Sequence, residues 1–121
     1  MEKKNIDWSS IGFAYMPTDY RYVSNFKDGK WDEGTLSTDP NIVLNECAGV
    51  LQYSQSVFEG LKAYTTEDGH IVTFRPDLNA ERMAASAARL EMPVFPKERF
   101  IDAVEQVVKA NAAWVPPYGS G

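Results

Sequence analysis

Leu61-Lys62-Ala63-Tyr64-Thr65-Thr66-Glu67-Asp68-Gly69-His70-Ile71-Val72-Thr73-Phe74-Arg75-Pro76-Asp77-Leu78-Asn79-Ala80-Glu81-Arg82-Met83 holds the change of period that decides the fold class. Residues 61–65 and 70–74 are β-prone runs on either side of the polar Glu67-Asp68-Gly69, which reads as a hairpin. Pro76 has no N–H to give a ladder and is expected to end the second strand. Beyond it, Asp77 or Asn79 can cap a helix by accepting from its free N–H groups. Met83, Ala87 and Leu90 then recur at i, i+4 and i+7, the spacing of one buried helix face, and Pro93 is expected to stop that helix.

Upstream, Tyr20, Tyr22 and Phe26 lie in a β-prone segment that leads into Asp28-Gly29 and Lys30-Trp31. The Asp-Gly pair supplies the positive φ angles of a tight hairpin turn. Asp39-Pro40-Asn41 breaks the chain again, and residues 42–44 and 49–53 read as short strands. Downstream, Pro96 suits the first turn of a second helix. Phe100, Val104, Val107 and Val108 form its apolar stripe, and Pro116-Pro117 terminates it. Antiparallel strands and hairpins followed by two helices predict an α+β architecture. The length of 121 residues predicts one domain over residues 1–121.

Composition narrows the function. The net charge is -5, with 17 acidic against 12 basic residues, and such a surface repels phosphate backbones, so no nucleic-acid role is expected. With 44% hydrophobic residues a real core is expected. The lone Cys47 cannot form an internal disulfide, which suits a reducing cytoplasm, and it reads as a small strand or loop residue. No apolar stretch follows the first charges as a signal peptide requires, and none is long enough to span a bilayer. His70, the one histidine, sits beside a turn with no second His or paired Cys nearby, so no metal site is expected.

By pattern alone, Tyr53, Phe58 and Tyr64 are more often core or interface aromatics than ligand contacts. Lys62 is more often a solvated strand residue than an activated amine. Arg82 falls in the first turn of the expected helix, where free N–H groups favour anions and an arginine fork can grip a phosphate. More commonly such an arginine is solvated or paired with an acid such as Asp77. There is no Ser-His-Asp set and no glycine-rich phosphate loop. The pattern therefore reaches an acidic α+β domain with a candidate anion site.

Longer motifs add a family resemblance. Tyr53 to Tyr64, with its Phe-Glu-Gly-Leu-Lys-Ala-Tyr core, resembles the hallmark of branched-chain amino-acid aminotransferases. Phe74-Arg75-Pro76 with Asn79 and Arg82 fits the same family. So do Val107-Val108-Lys109-Ala110-Asn111 and Val115-Pro116-Pro117-Tyr118-Gly119-Ser120-Gly121. Residues 12–19 and 26–31 extend the match in collinear order over nearly the whole chain.

The resemblance implies the smaller N-terminal domain of a fold-type IV enzyme that uses pyridoxal 5'-phosphate (PLP). It implies transfer of an amino group between leucine, isoleucine or valine and 2-oxoglutarate in a homodimer. Arg82 matches the arginine that holds the PLP phosphate. Phe13 and Phe58 match the wall of the substrate side-chain pocket, and Tyr53 matches a tyrosine reaching the neighbouring subunit's pocket. Lys62 gains nothing, because the family's Schiff-base lysine lies downstream in a second domain. No catalytic residue is therefore expected within residues 1–121, and the isolated chain is expected neither to transaminate nor to bind PLP tightly. A face prepared for a missing domain is expected to be apolar and to drive self-association. The rival readings are another fold-type IV enzyme (a D-amino-acid aminotransferase or an aminodeoxychorismate lyase) and a non-catalytic dimerisation module.

Overall fold

Three antiparallel strand pairs, three α-helices and two short 3-10 helices (Trp8–Ser10 and Ala112–Trp114) make up the regular structure of residues 2–120, the part described by this computed structural model. Met1 and Gly121, the outer ends of the two terminal readings, lie outside the described residues. The architecture is α+β, as expected.

Strand β1 (Arg21–Val23) pairs with β4 (Thr35–Ser37) in the register Arg21↔Ser37, Tyr22↔Leu36 and Val23↔Thr35. Between them lies the hairpin of β2 (Phe26–Lys27) and β3 (Lys30–Trp31). Its loop is Asp28-Gly29, with φ of 54° and 81°, the two positive angles expected of that dipeptide. β4 escaped the sequence reading because Thr35-Leu36-Ser37 is too short to show a period. Gly34, at φ 72°, lies under the Tyr22 ring, which a Cβ at that position would meet.

Residues 42–44 and 49–53 are not strands. The former have no regular structure, and the latter form a short helix, α1 (Gly49–Tyr53). Local bonds outweigh β propensity here. The Asn45 side chain accepts from the Cys47 N–H at 2.8 Å, and the Gln52 side chain donates to the Glu46 carbonyl at 2.8 Å. Cys47 is an exposed turn residue.

β5 (Ala63–Thr65) and β6 (Ile71–Thr73) form the expected second hairpin, with Gly69 at φ 88° in its turn. β6 stops at Thr73, before Pro76. Pro76 instead opens α2 (Pro76–Arg89), where its missing N–H costs no bond. Neither Asp77 nor Asn79 caps that helix. Its N-cap is Arg75, in a left-handed conformation with no capping side-chain bond. α2 ends at Arg89 rather than at Pro93. The Met92 N–H donates to the Ala87 carbonyl at 2.8 Å and the Glu91 N–H to Ala88 at 3.1 Å, with Glu91 at φ 57°. That is the double closure of a Schellman C-terminus. α3 (Lys97–Ala110) follows, with Pro96 as its N-cap.

α3 packs on α2 and on β1. Asn111, at the end of α3, ties down the segment before β1. Its Oδ1 accepts from the Tyr20 N–H at 2.9 Å, and its Nδ2 donates to the Tyr20 carbonyl at 2.8 Å. The core is thinner than composition suggested, because among the described residues its buried apolar residues are Ala80, Ala87, Ala112 and Val115. Met83 is half-buried, and Leu90 lies past the helix end, 42% exposed. Alanines at i and i+7 let α2 approach α3 closely but remove little apolar area from water.

Candidate functional site

The loop after α1 runs back across α2 and sets Glu59 against it. The Glu59 side chain is only 5% exposed, whereas that of its partner Arg82 is 68% exposed. Arg82 Nε donates to Glu59 Oε2 at 2.8 Å, and Arg82 Nη2 donates to Oε1. This is the two-point geometry that an arginine fork offers a carboxylate. Asn79 lies three residues before Arg82 and therefore on the same helix face. Its Nδ2 donates to Glu59 Oε1 and to the Gly60 carbonyl, each at 2.9 Å.

Electrostatics follow from this geometry. The bonds from Arg82, then from Asn79, hold the Glu59 carboxyl at about 2, down from its ordinary 4.5. Glu59 in turn raises the guanidinium above its ordinary range. Both groups are charged across the physiological range.

Arg82 and Phe58 line one concavity of about 520 Å³ with Ser56, Val57, Glu59, Gly60 and Ser86. Arg82 is the seventh residue of α2, not part of its first turn as expected. At 1.5 Å rise per residue it lies roughly 9 Å along the axis from Pro76, so the free N–H groups of the helix start do not reach its guanidinium. Nor is Asp77 its acid partner. Asp77 pairs with Arg75, at 2.9 Å to Nε and 2.8 Å to Nη2, and that fork holds the Asp77 carboxyl at about 2.

A phosphate group fits this concavity. A guanidinium has five N–H groups, and Glu59 engages those at Nε and Nη2. Among the described residues Arg82 Nη1 donates to no protein acceptor. Ser56 and Ser86 stand in the same lining. No lysine lines it, and Lys62 is exposed elsewhere on the surface.

Two of the four expected site residues are therefore together, Arg82 and Phe58. Phe13 and Tyr53 are fully exposed and line no part of this concavity. No role for Glu59 was legible in the sequence, which outside the family motif offered Asn79 only as a cap. The i, i+3 spacing of Asn79 and Arg82 was the available signal for a shared polar partner.

No family model matches the chain. Individual proteins do. A branched-chain-amino-acid aminotransferase of Haemophilus influenzae is 53% identical over 118 residues, covering 98% of this chain and 34% of that protein. One of Helicobacter pylori is 43% identical, covering 98% of this chain and 35% of the other. A methionine aminotransferase of Arabidopsis thaliana is 46% identical, covering 97% and 33%. The chain thus spans about a third of the length of the relatives it matches.

Proposed function

Because nearly the whole chain is homologous to branched-chain-amino-acid aminotransferases while spanning about a third of their length, we propose that it carries the cofactor-phosphate and pocket-wall part of such an enzyme. It would act as the smaller N-terminal domain of a fold-type IV protein, with the Schiff-base lysine on a further domain. The reaction is amino-group transfer between leucine, isoleucine or valine and 2-oxoglutarate, in a cytoplasmic homodimer. The observation that carries this reading is the concavity shared by Arg82 and Phe58. It sets a cation for a phosphate beside an aromatic wall for an apolar side chain.

In this reading Arg82 holds the PLP phosphate through N–H groups that Glu59 leaves free. Phe58, and Phe13 once covered by the rest of the protein, remove substrate methylenes from water. Tyr53 would serve the pocket of the neighbouring subunit. PLP, when bound, supplies the electron sink of transamination. The methionine aminotransferase among the relatives supports a second reading, in which the same wall accepts an unbranched apolar side chain.

The test joins this chain to the remaining two thirds of the Haemophilus influenzae relative. The chimera is expected to retain PLP and transaminate leucine, and Arg82→Ala is expected to weaken PLP retention by about tenfold, as loss of a charge-assisted pair should. The 121-residue chain alone is expected to show no leucine/2-oxoglutarate turnover. A folded chimera indifferent to Arg82→Ala would remove Arg82 from the site. Turnover by the chain alone, with borohydride trapping PLP on Lys62, would move the chemistry to that lysine.

A further inference from the structure

We infer that Glu59 is a positioning residue for anion recognition: it clasps one edge of the Arg82 guanidinium so that the other edge meets a phosphate group in the concavity lined by Ser56, Phe58 and Ser86. The inference rests on the proposed role of Arg82 and extends it to a residue that neither the motifs nor the relatives' names assign.

Three observations carry it. The first is the division of donors. Glu59 engages Nε and Nη2 of Arg82, and Nη1 is unspent among the described residues. A phosphate can therefore be bound without breaking the clasp. The second is the asymmetry of burial. The Glu59 side chain is 5% exposed and that of Arg82 is 68% exposed. An incoming anion meets far more of the cation than of the carboxylate, although both line the concavity. The third is bracing. Asn79 holds Glu59 Oε1 at 2.9 Å, and the Gly60 N–H adds a bond to that oxygen at 3.2 Å. The carboxylate is thus anchored both to its own loop and to α2, and it cannot simply follow Arg82 outward.

Two effects of Glu59 oppose each other. Its charge offsets part of the attraction between Arg82 and an anion. Its clasp removes the side-chain freedom that an exposed arginine otherwise loses on binding. Charge attraction at an exposed site is screened by water and salt, whereas orientation is not. The clasp therefore dominates, and removing it weakens binding.

The experiment uses the full 121-residue chain, with nitrogen-15 NMR of the arginine Nε–H groups during titration with inorganic phosphate at pH 7. In the unmodified chain the Arg82 Nε–H is expected as a resolved, slowly exchanging signal that shifts as phosphate binds. In Glu59→Gln that signal is expected to move to the position of free arginine, with phosphate affinity down about fivefold, an order-of-magnitude expectation for a lost orienting bond. Asn79→Ala keeps both charges and loosens the brace. It is expected to give a smaller loss in the same direction, and it decides the question if Glu59→Gln does not fold. Arg82→Ala separates the two claims. If it leaves phosphate binding intact, the anchor reading itself fails. If it abolishes binding while Glu59→Gln binds as tightly or more tightly, only the positioning role is overturned. If Glu59→Gln does not fold and Asn79→Ala binds unchanged, the positioning role is overturned as well.

Discussion

A single carboxylate, Glu59, links the loop after α1 to the face of α2, and its ionisation is tied to that contact. The carboxyl is more acidic in the folded chain, at about 2 against an ordinary 4.5. The unfolded chain therefore binds the proton first as pH falls. The stability this group contributes is complete above about 4.5 and is lost progressively as the pH drops through about 2. Urea midpoints of the unmodified chain and of Glu59→Gln should differ at pH 6 and draw together as the pH falls toward 2, the direction that a depressed carboxyl pKa dictates. A gap that stays constant over that range would mean the pair adds nothing through charge. Asp77 titrates in the same window, but it is present in both proteins and drops out of the comparison.

At the scale of elements, the end of α2 stores a cost that sequence periodicity does not show. Glu91 occupies the left-handed position of the Schellman closure, at φ 57°, where a β-carbon crowds the backbone and glycine is the usual occupant. Among the described residues Glu91 forms no ion pair that a substitution would remove. Glu91→Gly is therefore expected to stabilise the fold by about 1 kcal/mol, raising Tm by roughly 4 °C. An unchanged or lower Tm would show that glycine's extra freedom in the unfolded chain cancels the relief. The same element explains two misplaced expectations. Pro76 marks a helix start rather than a strand end, and starting the helix there moves Arg82 out of the first turn and away from the helix's own N–H groups.

On the scale of the whole molecule, surface outweighs core. The chain exposes 9216 Å², whereas a compact monomer of 13.6 kDa exposes about 6,600 Å². Phe13, Val43, Tyr53, Phe58 and Phe74 all lie on that excess surface. Exposed apolar side chains in this number favour association. Sedimentation velocity of the isolated chain should show oligomers that grow with concentration. A single monomer boundary at every concentration would instead mean that these side chains collapse onto the domain.

Local chemistry was legible in the sequence. Asp28-Gly29, Glu67-Asp68-Gly69 and the helical spacing in α2 and α3 act through neighbours a few residues apart, so residue order is enough to expose them. The extended motifs around Phe58 and Arg82 likewise pointed to the relatives, because whole strings of residues matched in order. The rest depended on contacts between distant residues. β1 finds β4 only across an intervening hairpin, and residues 49–53 turn helical through side-chain bonds that override propensity. Glu59 reaches Arg82 from 23 positions away, and that burial decides which edge of the guanidinium is spent. Propensity acts along the chain and is written there. Which donors remain free for a ligand is decided only when two segments meet in space, because each polar group bonds to whatever the fold brings within about 3 Å of it.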